Sequence, residues 1–310
     1  MLLWYLRGVL GVTLLVPAYA QTTVRVMFAG DIMLDNGPGH LITSGVDPLA
    51  AVAAVLRDAD LVIGNLECAI TRQGRAEDKP YTFKGPPSAL PLLKQYFSAV
   101  SLANNHSRDW GVTGFADELT LLDEAGLRYF GGGRNEKEAR QPLILTSRGK
   151  RIAFLGYNDY PPERFAAGRN RPGIAWLKER DAVADIRAAR ERDRADFVLL
   201  FLHWGYELDE APLPEQKTLA RRLIDAGADA VVGAHPHVTQ GVEWYQGRPI
   251  VYSLGNLLFD YFPGDPAVWT GWMARITLGG AEGTKLELVA VEMDPSGAPH
   301  LKPGVVDPAR

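Results

Sequence analysis

Short apolar runs alternate with helix-spaced segments over most of the chain, and several runs end abruptly in polar residues. Residues 23–29 are rich in β-branched and apolar residues and stop at Gly30-Asp31, and residues 61–63 stop at Gly64-Asn65-Leu66-Glu67. Residues 99–102 lead into Asn104-Asn105-His106, residues 197–202 into His203, and residues 230–232 into Gly233-Ala234-His235-Pro236-His237. Runs of this length predict buried strands. Between them, residues 48–58, 88–96, 113–125, 179–194 and 215–226 carry helical spacing, with Gly126 placed to end the third helix. Residues 143–146 and 151–156 flank a Gly-containing turn and predict a hairpin. Later runs at 241–244, 249–253, 272–278 and 285–292 predict paired strands. Residues 73–87 and 161–172 hold Gly, Pro and charge and read as surface loops. The pattern predicts an α/β fold, one domain over residues 21–295 with a mixed and double sheet, and an irregular tail over 296–310.

Composition changes this picture at two points. The 310 residues are 46% hydrophobic and 23% charged, enough to bury a core without staples. A net charge of −4 with no long basic run argues against nucleic acid as a partner. Residues 1–20 differ from the rest: Arg7 precedes an apolar stretch over 8–16, and Ala18-Tyr19-Ala20 offers a cleavage pattern. That stretch is shorter than the roughly 20 residues a spanning helix needs. The expectation is an exported, periplasmic or extracytoplasmic protein, with residues 1–20 either cleaved as a signal peptide or retained as an N-terminal anchor. Cys68 is the single cysteine, so no intrachain disulfide forms, and a buried apolar role suits it.

A buried strand has little use for a polar exit, whereas a metal site built at strand ends does. Asp31 reads as a metal ligand or as a helix cap, and the adjacent glycine permits close backbone approach. Asn65 and Glu67 share a side of the strand by period two, so either can present an oxygen. In Asn104-Asn105-His106 an amide oxygen suits a metal shell. His106 suits a general acid or an oxyanion holder, and Asp109 is spaced to fix its tautomer. His203 follows six apolar or aromatic residues and reads as a ligand or a satisfied core histidine. His235 and His237, with Pro236 stiffening the turn between them, form the strongest single motif. His40 and His300 fall in loop and tail segments and receive no role. Arg164, Arg169 and Arg171 lie in one loop and suit an anionic substrate or a solvated surface. Trp204, Trp269 and Trp272 suit a substrate wall or the core equally.

In chain order, the segments 28–34, 65–67, 102–106, 203–207, 233–237 and 252–256 resemble the metallophosphoesterase (calcineurin-like) superfamily, and more closely its CapA branch of poly-γ-glutamate capsule synthesis proteins. The resemblance spans residues 24–260. It implies a metallophosphatase-like αββα sandwich with mixed sheets and one or two divalent metal ions (Mn, Zn or Fe) between strand tips. It implies that Asp31 and His237 hold the first metal and Asn105, His203 and His235 the second. Asn65 or Glu67 stands where the bridging aspartate usually stands, and His106 becomes the general acid. Met33 occupies the position of the superfamily's usual histidine, and a thioether is a poor ligand for a hard cation. The function implied is metal-dependent hydrolysis of a phosphoester or an anionic envelope or capsule polymer. Capsule-synthesis membrane proteins are the implied partners. The alternative is a non-catalytic polymer-binding or assembly component.

Overall fold

The computed structural model describes residues 23–260 and 266–306. The expected signal segment lies outside the described residues. Fourteen strands build the two large sheets: β1 (Val24–Ile32), β2 (Leu61–Leu66), β3 (Ala99–Ser101), β4 (Arg128–Phe130), β5 (Leu143–Ser147), β6 (Lys150–Asn158), β7 (Phe197–His203), β8 (Ala230–Ala234), β9 (Thr239–Tyr245), β10 (Arg248–Leu254), β11 (Asn256–Leu258), β12 (Thr270–Gly280), β13 (Gly283–Met293) and β14 (Pro299–Val306). One sheet runs β14-β13-β12-β1-β2-β3-β4, with β11 also pairing β1. The other runs β9-β10-β8-β7-β6-β5. Both are mixed: β1, β2, β3 and β4 pair in parallel, as do β6, β7, β8 and β10, while β12, β13 and β14 are antiparallel.

Period-two alternation sorts each central strand onto two apolar faces. In β1, Val24, Val26 and Phe28 pack toward the second sheet, where Leu199 and Phe201 of β7 meet them in one core. Phe28 and Phe201 touch edge-to-face, with ring centroids 5.4 Å apart. Met27 and Ala29 face the other way, into a core closed by α1 (Asn36–Thr43), α2 (Ala53–Arg57), α3 (Leu90–Tyr96) and α4 (Gly111–Ala125), which contributes Phe115, Leu119 and Leu122. Val198, Leu200 and Leu202 of β7 likewise pack under α5 (Glu179–Glu191) and α6 (Pro214–Asp225). The layers are therefore helix, sheet, sheet, helix, the αββα sandwich expected from the resemblance. Among the described residues no helix is long and apolar enough to cross a membrane.

Two local expectations are corrected, and one alternative left open is decided. The tail is not irregular throughout: Pro299–Val306 is the edge strand β14, held antiparallel on β13, because its backbone completes an otherwise open sheet edge. The loop 73–87 is not wholly a surface loop, since Phe83 is buried and Lys79 reaches inward. Trp204 is core, fully buried, with its indole N–H donated to the Tyr252 carbonyl at 3.0 Å.

The sheets bring strand ends together because parallel neighbours end at the same edge. Asp31 is in register with Asn65 on one side and Asn256 on the other, and His203 is in register with Asn158 and Ala234. Gly30 permits this arrangement: a Cβ there would lie 1.9 Å from the Gly255 carbonyl oxygen, which accepts the Asp31 N–H at 3.0 Å. Gly30→Ala is expected to cost about 3 kcal/mol or more, because backbone rather than a flexible side chain must yield. Gly241→Ala, with nothing within 4 Å, should change stability by about 0.5 kcal/mol or less. Denaturant unfolding of both variants checks the contrast.

Candidate metal centre

Asp31, Glu67, His203, His235 and His237 converge between the two sheets, all at most 2% exposed. Two ligand groups overlap there, Asp31–Glu67–His237 and Glu67–His203–His235, each with its ligand atoms within 4.8 Å of one another. Glu67 belongs to both. Its Oε1 lies 3.4 Å from His203 Nε2 and 3.8 Å from His237 Nε2. Asn65, the other carrier left open by period two, is committed elsewhere. Its amide nitrogen donates to Asp31 Oδ1 at 2.7 Å and approaches His203 Nδ1 at 3.2 Å, while its oxygen accepts from Asn104 at 3.1 Å. Asn65 thus orients a carboxylate and an imidazole, and Glu67 occupies the position between the groups.

The histidines arrive by different local routes. His203 ends β7, and its Nε2 is 2.8 Å from Asn105 Oδ1. His235 and His237 follow β8 on a turn in which both adopt positive φ, 101° and 58°. Side chains other than glycine take that conformation at a cost of about 1–2 kcal/mol each. The turn is anchored by the His235 N–H, which donates to Asp31 Oδ2 at 3.1 Å. His237 Nδ1 meets Asn256 Oδ1 at 2.9 Å and Asp31 Oδ2 at 3.4 Å. The Asn256 amide nitrogen donates to the Val268 carbonyl, so its oxygen faces the ring and assigns the proton to Nδ1. Nε2 is then the lone-pair nitrogen on the Glu67 side, the arrangement by which a neighbour orients a metal-binding histidine.

The electrostatics are those of a cation site. Burial first, and then the neighbouring imidazoles, holds His203 and His235 well below the usual histidine range; burial also lowers His237, opposed by Asp31. All three are therefore neutral, the form that binds metal. Burial, and next the Asp31 carboxylate, pushes Glu67 well above the usual carboxylate range, and burial raises Asp31. Neither Glu67 oxygen and neither His235 ring nitrogen forms a well-aligned hydrogen bond with a neighbouring side chain or backbone group of the described residues. Two carboxylate oxygens and two ring nitrogens left in this way are costly. Two carboxylates and three neutral imidazoles suit a divalent cation, whose charge offsets the desolvation that raises both acids. Met33 is outside this set: it is a core residue whose sulfur accepts the Asp35 N–H at 3.0 Å.

His106 stands beside the centre on the turn after β3. Asn104 builds that turn, its Oδ1 accepting the backbone N–H groups of His106 and Ser107 at 3.0 and 2.9 Å. Asp109 Oδ2 lies 2.7 Å from His106 Nδ1 and also accepts the Phe83 N–H at 2.7 Å. Lys79 completes the group, its ammonium 2.5 Å from Asp109 Oδ1 and 2.8 Å from the Asn105 carbonyl. Phe83 packs on the imidazole with centroids 4.4 Å apart.

Four neighbours of the centre were given no role from sequence: Lys79, Tyr160, Glu207 and Asn256. Tyr160 packs on His235 with centroids 3.8 Å apart, and Glu207, exposed, forms a third ligand group with His235 and His237. Asn256 and Glu207 carried a signal, a polar residue just past an apolar run in a segment already singled out. Lys79 sits in a charged loop and carried none.

A metallophosphatase-like αββα sandwich with a buried His/Asp/Glu cluster at the strand ends is the class that fold and site define. Within it, the profile of the family described as "Bacterial capsule synthesis protein PGA_cap" matches residues 25–261, and the chain belongs to that family. It is 34% identical over 251 residues to the "PGA biosynthesis protein CapA" of Bacillus subtilis (strain 168), covering 79% of this chain and 66% of that protein. It is 33% identical over 246 residues to the "Capsule biosynthesis protein CapA" of Bacillus anthracis, covering 76% of this chain and 60% of that one. The chain thus spans less than two thirds of the length of these curated relatives. A hypothetical protein from Thermus thermophilus shares the fold, with a TM-score of 0.50 and 19% identity over 92% of this chain and all of that one.

Proposed function

We propose that this protein is an exported, metal-dependent hydrolase acting on an anionic capsule or envelope polymer, or on a phosphoester, in the manner of a phosphoesterase. The observation that carries the reading is the pair of ligand groups sharing Glu67, with buried oxygens and nitrogens that form no well-aligned hydrogen bond among the described residues. Asp31, Glu67 and His237 would hold one divalent cation and Glu67, His203, His235 and Asn105 a second, with Mn, Zn or Fe suited to the mixed N/O set. When bound, such cations supply Lewis acidity and neutralise developing charge. The chain's own residues do the rest. Asn65 and Asn256 fix Asp31 and His237. His106, held through Nδ1 by Asp109, presents Nε2 to the leaving group; burial lowers its pKa and the Asp109 carboxylate opposes this, favouring the doubly protonated ring that alone can give the proton. The relatives named for PGA and capsule biosynthesis support a polymer of that kind as substrate, and capsule-synthesis membrane proteins are the partners proposed with it.

Metal content of the purified protein, alongside a His235→Ala variant, tests this. The expected result is near two divalent ions per chain, falling in the variant. No metal after incubation with Mn or Zn sinks the hydrolase reading. One observation favours a second reading, a polymer-binding assembly component without turnover: Met33 is turned into the core, so Asp31, Glu67 and His237 alone form the first group. A single ion per chain with no turnover of any phosphoester or polymer would select it.

A further inference from the structure

Arg108 is a buried guanidinium with no carboxylate within ion-pair distance among the described residues, one position before Asp109. It is 5% exposed, its Nη1 donates to the Arg164 carbonyl at 2.7 Å, and its Nε is buried and meets no acceptor. More cations surround it. The Arg108 and Arg164 guanidinium carbons each lie 5.2 Å from the centre of the Phe165 ring, and the Lys79 ammonium lies 5.6 Å from it. Arg171 is near enough that, after burial, it contributes most to lowering the Arg108 pKa. The Arg171 side chain is exposed and donates to the Ala166 carbonyl at 3.1 Å.

The counter-charges do not match. Lys79 is neutralised by Asp109, and Glu77 pairs with Arg164 at 3.0 Å and acts on Arg108 only from beyond ion-pair distance, so one carboxylate serves both guanidiniums. Arg108 and Arg171 have no such partner among the described residues. A buried charge without a counter-ion is a strong liability. Holding one carbonyl of the loop 161–172 does not explain it, because a neutral amide would do that without the desolvation cost. An anion that arrives with the substrate does explain it, since guanidinium forks bind planar oxyanions in bidentate fashion.

We infer that Arg108, Arg164 and Arg171 form an anion subsite beside His106 that takes a free, pendant carboxylate of a polyglutamate chain while another part of the same chain lies at the metal centre. The inference rests on the polymer reading above and deepens it. A metal centre acts on one bond, whereas a flanking carboxylate subsite registers a long polyanion and rejects small neutral esters.

The test is calorimetric binding of poly-γ-glutamate and, separately, of inorganic phosphate. The proteins are the unmodified chain and the Arg108→Gln, Arg171→Gln and Arg187→Gln variants. Arg187 is exposed on α5 and serves as a control for the loss of one charge. Polymer affinity is expected to fall about tenfold in Arg108→Gln and in Arg171→Gln, to fall with added salt, and to stay unchanged in Arg187→Gln. Arg171→Gln decides the matter if Arg108→Gln fails to fold, as judged by circular dichroism. Equal weakening in all three variants, or none in the two cluster variants, overturns the subsite. Arginine-dependent binding of phosphate without binding of polymer overturns the carboxylate assignment. Metal content is measured on the same samples. Absent metal with arginine-dependent polymer binding removes the hydrolase reading alone, and full metal with arginine-independent binding removes the subsite alone.

Discussion

Replacing Glu67 by Gln is expected to empty both metal positions at once while making the metal-free protein more stable. Glu67 is the residue common to Asp31–Glu67–His237 and Glu67–His203–His235, so no other single substitution touches both groups at their shared member. Loss of a residue that merely orients a metal ligand typically weakens affinity by about 10–100-fold, and loss of a shared anionic ligand should exceed that. The stability half has the opposite sign. In the chelated protein Glu67 is fully buried beside Asp31, and burial and that carboxylate push its pKa well up, so ionising it beside Asp31 costs stability. A neutral amide of the same shape relieves the carboxylate pair and brings a donor toward Asp31. The gain should be about 1–3 kcal/mol, the usual cost of a buried group left unsatisfied. Metal analysis by mass spectrometry, together with denaturant unfolding in chelator, reads both halves. A variant that keeps its metal, or that is destabilised when chelated, would show that the lone carboxylate is not organised around a cation. Stability surrendered for a polar site is the general pattern when a fold carries function.

The second large effect separates chemistry from metal binding. His106→Ala should reduce turnover by about 10²–10⁴-fold, the range for a positioned proton donor, with metal content unchanged. Asp109→Ala should reduce turnover as well, and it should also destabilise the protein. Asp109 accepts the Phe83 N–H and holds both His106 Nδ1 and the Lys79 ammonium. Removing it leaves a largely buried ammonium unpaired and frees the loop that carries Lys79, at about 3 kcal/mol. Unfolding midpoints and steady-state rates on the same preparations distinguish the two substitutions. Equal stability loss in both, or loss of metal in His106→Ala, would place His106 in the scaffold rather than in the reaction.

Much of the candidate site was legible before the fold because its residues interrupt a strong local pattern. A buried strand is a run of apolar residues, so Asp31, His203 and His235 stand out where such runs end, and parallel strands in one sheet bring those ends to one edge. The same reasoning could not choose between Asn65 and Glu67, since period two puts both on one side. Only the neighbours choose. Asn104, 39 residues on from Asn65, takes the Asn65 oxygen, and Asp31 takes its amide nitrogen. Lys79 was illegible for a related reason. A lysine in a charged loop is normally solvated, and nothing local reveals that Asp109 and the Asn105 carbonyl await it.

The sequence by itself determined most of the strands, their alternation with helices, and the identity of the polar residues at their tips, because burial on two faces imposes hydrophobicity residue by residue; the short strands β4 and β11 and the edge strand β14 were not among them. Which tips meet, which carboxylate lies between the histidines, which asparagine orients His237, and which arginine is buried without a counter-charge were decided by tertiary structure alone. Those contacts join residues tens to hundreds of positions apart, as in the His235–Asp31 hydrogen bond across 204 positions. Their geometry depends on sheet register and loop closure, which a local pattern of polar and apolar positions does not encode.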